Sequence, residues 1–133
     1  MFNDVNDPAD DLSISTVPQL MLLFYPVIDT GEHGYGNKLV GENWKQISPV
    51  DRVVPGLPPT LLLHGSTDTT CPYAGAKLFA ERMTAAGNEI EFITGKGGHG
   101  YFTYKQEPLD VAMKQVDEFL KAHGYPVDPA PGS

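Results

Sequence analysis

Residues 60–72 read TLLLHGSTDTTCP and set the fold class of this 133-residue chain. The apolar run at residues 60–64 is typical of a strand that is buried on both faces of a parallel sheet. A second such run, QLMLLFY, lies at residues 19–25, although a buried helical turn has the same pattern. At residues 89–94, EIEFIT alternates polar and apolar residues, which indicates a third strand with one more exposed face.

Helices are predicted after the second and the third strand. Residues 73–86 place apolar side chains at helical spacing, and Gly87 ends the pattern. Residues 109–120 form the strongest helical pattern in the chain, and Gly124 ends it. Strands that alternate with helices and crossovers predict an α/β fold with about three parallel strands, flanking helices and right-handed connections.

The rest of the chain is irregular. Residues 26–58 form a long crossover, with one short helix predicted around residues 38–44. Residues 1–18 are acidic and rich in turn residues, so we expect a loop or arm outside the folded portion at residues 19–125. The tail at residues 126–133, PVDPAPGS, has the composition of a disordered segment.

The composition argues against several classes of protein. Apolar residues make up 41% of the chain and charged residues 20%, as in an ordinary globular protein. A net charge of −8, from 17 acids and 9 bases, argues against nucleic acid as a partner. No apolar run approaches the roughly 20 residues that cross a bilayer, so no membrane span is expected. Cys71 is the single cysteine and the four histidines lack metal-ligand spacing, so neither a disulfide framework nor a zinc site is predicted.

Two loops carry residues that suit catalysis. Asp68 follows the second predicted strand, and His99 lies in the loop GKGGHGYF, residues 95–102, shortly after the third. The carboxyl ends of parallel strands meet at one edge of a sheet, where ligands and chemistry gather. We therefore expect the Asp68 carboxylate to hydrogen-bond the His99 imidazole, which leaves the other ring nitrogen to act as a general base.

Other residues near these loops have simpler interpretations. His64 ends the second strand and is expected to pack or hydrogen-bond near the site. Cys71 lies in the same loop as Asp68 without the sharp turn that a nucleophile needs, so a small buried thiol is expected. Asp29, after the first strand, is a reserve candidate for the acid. The glycines of residues 95–100 lack the spacing of a phosphate-binding loop.

The order of these motifs resembles a known family. HGSTDTTCP, then a helix, a strand and GGHGYF, is similar to the C-terminal half of an α/β-hydrolase of the esterase and lipase branch, which includes acetyl esterases and dienelactone-hydrolase-like and feruloyl-esterase-like enzymes. The resemblance covers roughly residues 17–123. It implies that Asp68 is the acid and His99 the base of a Ser-Asp-His triad, in the usual chain order. Two small departures are Cys71, where the family has Val, and Tyr101, where it has Phe.

A larger departure concerns the nucleophile. In the family the serine lies in G-x-S-x-G, on a turn between a strand and a helix. None of the five serines of this chain has those flanking glycines, and the HGGG-type oxyanion loop is also absent. By resemblance, the three strands are the last three of an eight-stranded sheet. We therefore expect the nucleophile to lie upstream of Met1, and we expect the chain alone to be inactive.

The resemblance also has consequences for partners. It implies a small-molecule ester as the substrate of the parent protein and no metal or organic cofactor. The strand from Leu20 to Phe24 would lose a neighbour in such a fragment, so we expect self-association, or pairing with the N-terminal half, through this edge. Two alternatives remain: a non-catalytic module that binds through the edge, and a dissected folding unit. The compartment is open, since any leader would lie upstream.

Overall fold

The structure is a computed structural model that describes residues 7–127. Its three strands are β1 (Met21–Phe24), β2 (Thr60–Gly65) and β3 (Ile90–Gly95). They form one parallel sheet in the order β1-β2-β3. The predicted α/β architecture of three parallel strands with flanking helices is thereby confirmed, and β1 is a strand rather than a buried helical turn.

Four α-helices accompany the sheet. They are α1 (Asn37–Val40), α2 (Trp44–Ile47), α3 (Tyr73–Ala85) and α4 (Gln106–Ala122), with 3-10 turns at Gly41–Asn43 and Pro49–Asp51. The short helix predicted around residues 38–44 is present in part, since this segment consists of α1, a 3-10 turn and the start of α2. Gly36 and Gly41 bound α1 with φ values of 75° and 64°, which end helical backbone at both sides.

The central strand β2 is buried along its whole length, as its apolar sequence predicts. Side chains of a strand point alternately to its two faces. Leu62 therefore packs on one side with α3 residues such as Phe79 and Met83. Leu61 and Leu63 pack on the other side with Phe102 and with three residues of α4: Ala112, Val116 and Phe119. Two hydrophobic clusters, one on each face, thus hold the sheet between the helices.

Strand β1 differs from the prediction that it is buried on both faces. Its residues are only partly buried, and Leu22 is 37% exposed. The reason is its place in the sheet, because within residues 7–127 β1 pairs with β2 alone. Strand β3 does not show the single exposed face that its alternating pattern predicts. Glu91 and Thr94 are exposed on opposite faces, while Phe92 and Ile93 are partly buried in the two different clusters, because helices cover both faces of the sheet.

Helix α4 begins at Gln106, three residues before the predicted start. Pro108 lies in its first turn, where the missing N–H of proline has no partner to lose. The buried stripe consists of Ala112, Val116 and Phe119, at i, i+4 and i+7. Met113, the residue after Ala112, is 46% exposed, because it lies beyond the narrow face that contacts the sheet.

The long crossover is held against α3 by polar contacts. Arg82 of α3 donates through Nη1 to the carbonyl oxygen of Val50 at 2.6 Å and to Oδ1 of Asp51 at 2.9 Å. The hydrogen bond from Arg82 lowers the pKa of the Asp51 carboxyl below its usual value. The crossover is therefore fixed to α3 through defined contacts.

The ends of the chain add little regular structure. The described part of the acidic arm, residues 7–18, consists of exposed turns, in which Asp7 and Asp11 accept hydrogen bonds from backbone N–H groups two residues on. The tail predicted to be disordered lies outside the described residues beyond Val127. Within residues 7–127, each helix falls short of the length and apolar character needed to cross a bilayer.

Replacing Leu62 by Ala tests this account of the core. Leu62 is fully buried, so the Leu62→Ala change should lower the free energy of unfolding by about 2–5 kcal/mol. The matched control is Leu39→Ala, since Leu39 of α1 is 88% exposed. It should change stability by about 0.5 kcal/mol or less. Urea unfolding at one fixed protein concentration measures both, and equal losses would contradict the assignment of the core.

Candidate active site

Two loops meet at the carboxyl end of the sheet. In the β2–β3 register Gly65 lies opposite Gly95, so both strands end at the same level. Beyond this point Ser66 N donates to the carbonyl oxygen of Gly95 at 2.8 Å, and Thr67 N donates to that of Gly97 at 3.0 Å. A Cβ at Gly65 would overlap the carbonyl oxygen of Gly97. Glycine is thus required here for the two loops to approach closely.

Asp68 lies at the centre of these loops, with its side chain fully buried. Its Oδ1 accepts hydrogen bonds from the backbone N–H groups of Thr70 and Cys71, both at 2.9 Å. Its Oδ2 accepts one from Nδ1 of His99 at 2.9 Å. These donors compensate the cost of burying the carboxylate and fix the orientation of its plane.

The contact with Asp68 determines the protonation pattern of His99. An ionised carboxylate only accepts hydrogen bonds, so the proton must lie on Nδ1 of the imidazole. In the neutral ring, Nε2 then carries the free lone pair and can accept a proton. The His99 side chain is 32% exposed, so it can be reached from outside. The structure therefore brings together the two residues that the sequence analysis paired.

His64, at the end of β2, contacts the loop that carries Asp68. Its Nε2 lies 2.7 Å from the carbonyl oxygen of Cys71 and 3.2 Å from Oδ2 of Asp68. A carbonyl oxygen only accepts, so Nε2 carries the proton and donates it to Cys71. Nδ1 is buried and has no partner within the described residues. His64 thus braces the loop through its bond to the carbonyl oxygen of Cys71.

Cys71 is a buried residue of the Asp68 loop, 5% exposed. Burial raises the pKa of its thiol, and the nearby Asp68 charge raises this pKa further. The thiol therefore stays protonated at neutral pH, which argues against its action as a nucleophile. This agrees with the expectation of a small buried thiol.

Asp29, the reserve candidate for the acid, has different contacts. Its Oδ1 accepts a hydrogen bond from the backbone N–H of Gly31 at 2.6 Å. Its Cβ faces Gly75 in the first turn of α3, where a methyl group on the glycine would not fit. Asp29 thus stabilises the start of the crossover, whereas Asp68 is the carboxylate bonded to His99.

Tyr25 is a neighbour of His99 that the sequence analysis missed. It directly follows β1, and its ring lies edge-to-face with the imidazole, with centroids 4.8 Å apart and planes at 68°. The two aromatic residues that follow in the His99 loop are packed away from the imidazole: Phe102 is buried in the cluster with α4, and Tyr101 packs beside it. A tyrosine at a strand end is a common sequence feature, so no pattern distinguished Tyr25 beforehand.

Metal chemistry has no support from the described residues. Within residues 7–127 no group of three or more His, Cys, Asp or Glu side chains is arranged to hold a metal ion. His33 lies in the crossover and His123 at the end of α4, where His123 contacts Glu89 through Nε2 at 3.1 Å. The site consists of a carboxylate and an imidazole.

Solved structures of an esterase share this architecture. The chain superposes on the native structure of the esterase Est2 from Thermogutta terrifontis with a TM-score of 0.79 and 31% sequence identity, over 98% of this chain and 50% of that one. For the same esterase phosphonylated by sarin, the TM-score is 0.81 and the identity 29%, over 92% and 50% of the two chains. The fold and the motifs thus define an α/β-hydrolase domain of the esterase type, as the resemblance predicts.

The family follows from the sequence match. Residues 15–124 match the prolyl oligopeptidase family, and the chain belongs to this family. It is also 36% identical over 62 residues to the esterase LipC of Mycobacterium tuberculosis, a match that covers 45% of this chain and 15% of LipC. The chain spans about half the length of the esterase structures that it resembles.

Replacing Asp68 by Asn should move the proton of His99. Asparagine keeps an acceptor for the two backbone N–H groups but can present an NH₂ donor to His99, so Nδ1 must accept and the proton moves to Nε2. Imidazole ¹⁵N chemical shifts report the tautomer directly. Asp29→Asn is the matched control and should leave His99 unchanged. A His99 that keeps its proton on Nδ1 in Asp68→Asn would contradict the assigned contact.

Proposed function

We propose that this chain supplies the acid and the base of a serine ester hydrolase, whose nucleophile lies in sequence outside these 133 residues. The observation that carries the proposal is the 2.9 Å contact between Nδ1 of His99 and the buried Asp68 carboxylate. The 133 residues include no G-x-S-x-G motif, and the esterase structures are about twice as long. Both facts support a serine that is supplied from outside.

The proposed reaction uses His99 twice. Its Nε2 accepts the proton of the serine hydroxyl as the serine oxygen attacks the ester carbonyl. The same proton then passes to the leaving alcohol, and an acyl-serine remains, which water hydrolyses with His99 again as the base. Asp68 holds the imidazole in the Nδ1–H tautomer and stabilises the imidazolium that forms at each step.

Esters of short carboxylic acids are the first substrates to test. Structures of the Thermogutta terrifontis esterase Est2 have been solved with propionate bound and with butyrate bound. The prolyl oligopeptidase family is named for enzymes that cleave peptides. The esterase relatives at 29–36% identity favour the ester.

Hydrolysis of p-nitrophenyl propionate tests the proposal. The chain alone should show no turnover above buffer, because no nucleophile is present to be activated. Joined to the coding sequence that lies upstream of it, the protein should hydrolyse the ester. In that longer protein His99→Ala should lower kcat by about 10⁴- to 10⁶-fold.

The matched control for this loss is His123→Ala, which removes a histidine at the far end of α4 and should leave kcat within about twofold. Two results would count against the proposal: an upstream sequence without a G-x-S-x-G motif, and an active longer protein whose rate is unaffected by His99→Ala.

The sheet edge supports a second candidate, a module that binds a partner through β1. Leu22 is 37% exposed, and in the part of the chain that the structure describes β1 has β2 as its only strand neighbour. An unpaired edge presents backbone N–H and C=O groups to another strand. We propose that the segment from Leu20 to Phe24 pairs with the N-terminal half of the protein, or with a second copy when that half is absent.

A charge on this edge should prevent the association. Light scattering after size-exclusion chromatography should give a mass above 14.5 kDa for the unmodified chain and the monomer mass for Leu22→Lys. Leu39→Lys is the matched control, since Leu39 is 88% exposed on α1, and it should associate like the unmodified chain. An unmodified chain that stays monomeric and does not bind the upstream half would refute edge pairing.

A further inference from the structure

Tyr25 has an unusual backbone conformation beside the imidazole of His99. Its φ is +37°, and among the non-glycine residues of 7–127 it is the only one with a positive φ. This region is unfavourable for a residue with a large side chain, because Cβ approaches the backbone carbonyl oxygen. Such strain persists only where surrounding contacts determine it, and it is concentrated at functional sites.

The contacts that hold Tyr25 come from two directions. Its backbone N–H donates to the carbonyl oxygen of Leu63 at 2.7 Å, which continues the pairing of β1 with β2. Its hydroxyl lies 3.0 Å from Oγ1 of Thr103, four residues after His99. Since Thr103 donates through Oγ1 to the carbonyl oxygen of Gly100, Tyr25 is the donor to Thr103. The backbone is thus fixed to the sheet and the side chain to the loop of His99.

The hydrogen bond to Asp68 does not by itself fix the rotation of the imidazole plane. A single bond at Nδ1 fixes one atom of the ring, but the plane of the ring can still rotate, since the χ2 angle of histidine has a broad preference. A second contact is needed to aim Nε2. The ring of Tyr25, at a centroid distance of 4.8 Å and an angle of 68°, provides this contact.

We propose that Tyr25 is a positioning residue that sets the plane of the His99 ring, and that its strained backbone is the cost of placing its ring there. The inference rests on the proposed role of His99 as the base. It adds that the end of β1 takes part in the site, through packing rather than proton transfer.

Three variants of the 133-residue chain separate the ring of Tyr25 from its hydroxyl. Tyr25→Phe and Thr103→Val each remove the same hydrogen bond and keep the aromatic ring. Tyr25→Asn removes the ring, while asparagine accepts a positive φ more easily than other residues, so the fold should be preserved. Thermal unfolding measures stability independently of the site.

The readout is the solvent exchange rate of the His99 Nδ1 proton by NMR, which a purely structural role of Tyr25 would leave unchanged. Tyr25→Phe and Thr103→Val should each raise this rate about threefold, since both lose the hydrogen bond between Tyr25 and Thr103. Thr103→Val also loses the bond to the carbonyl oxygen of Gly100. Adding Tyr25→Phe to Thr103→Val should raise the rate no further, because the bond between the two residues is already absent. Tyr25→Asn should raise it about tenfold, because the imidazole then opens more often. The Tm of Tyr25→Asn should remain within a few degrees of the unmodified chain.

An unchanged exchange rate in a folded Tyr25→Asn chain would overturn the inference. If Tyr25→Asn does not fold, the hydrogen-bond variants decide, and unchanged rates in both would overturn it. The exchange measurement needs no turnover, so it is independent of the ester assay. Faster exchange in the Tyr25 variants, together with no esterase activity in the longer protein that includes the upstream sequence, would uphold the positioning role and refute the proposed function.

Discussion

The register between β2 and β3 is the constraint on which the site depends. Because Gly65 lies opposite Gly95, both strands end at the same level and their loops emerge side by side. Hydrogen bonds from Ser66 and Thr67 to the facing loop continue this pairing beyond the sheet. A shift of one residue would turn the side chains of β3 to the other face and separate the loops. The contact between Asp68 and His99 is thus a consequence of strand pairing.

The same register depends on cores on both faces of the sheet. β2 is buried throughout, with Leu62 on one face and Leu61 and Leu63 on the other. The Asp68 carboxylate, three residues beyond β2, is itself fully buried. A buried carboxylate is stable only when donors surround it, and the backbone of the loop together with His99 provides them. Fold stability and the geometry of the site therefore have a common origin.

Much of this architecture could be predicted from the sequence, because uninterrupted apolar runs and helical spacing do not depend on distant contacts. The proximity of Asp68 and His99 followed from topology alone. The start of α4 was missed, since Pro108 suits a first turn as well as a preceding loop. The positive φ of Tyr25 and the two contacts of His64 could not be predicted, because both depend on the tertiary packing of loops that are distant in sequence.

Under the proposed function, β2 and β3 carry the catalytic pair, whereas β1 pairs with the rest of the protein. The Asp68–His99 pair is built on β2 and β3, so its geometry does not require a further strand beside β1. The outer edges of both β1 and β3 lack a strand partner within the described residues, and the proposed docking of the rest of the protein uses that of β1. Tyr25 lies at the end of that strand and contacts the base. Docking at the edge and alignment of His99 would then be coupled through one strained residue.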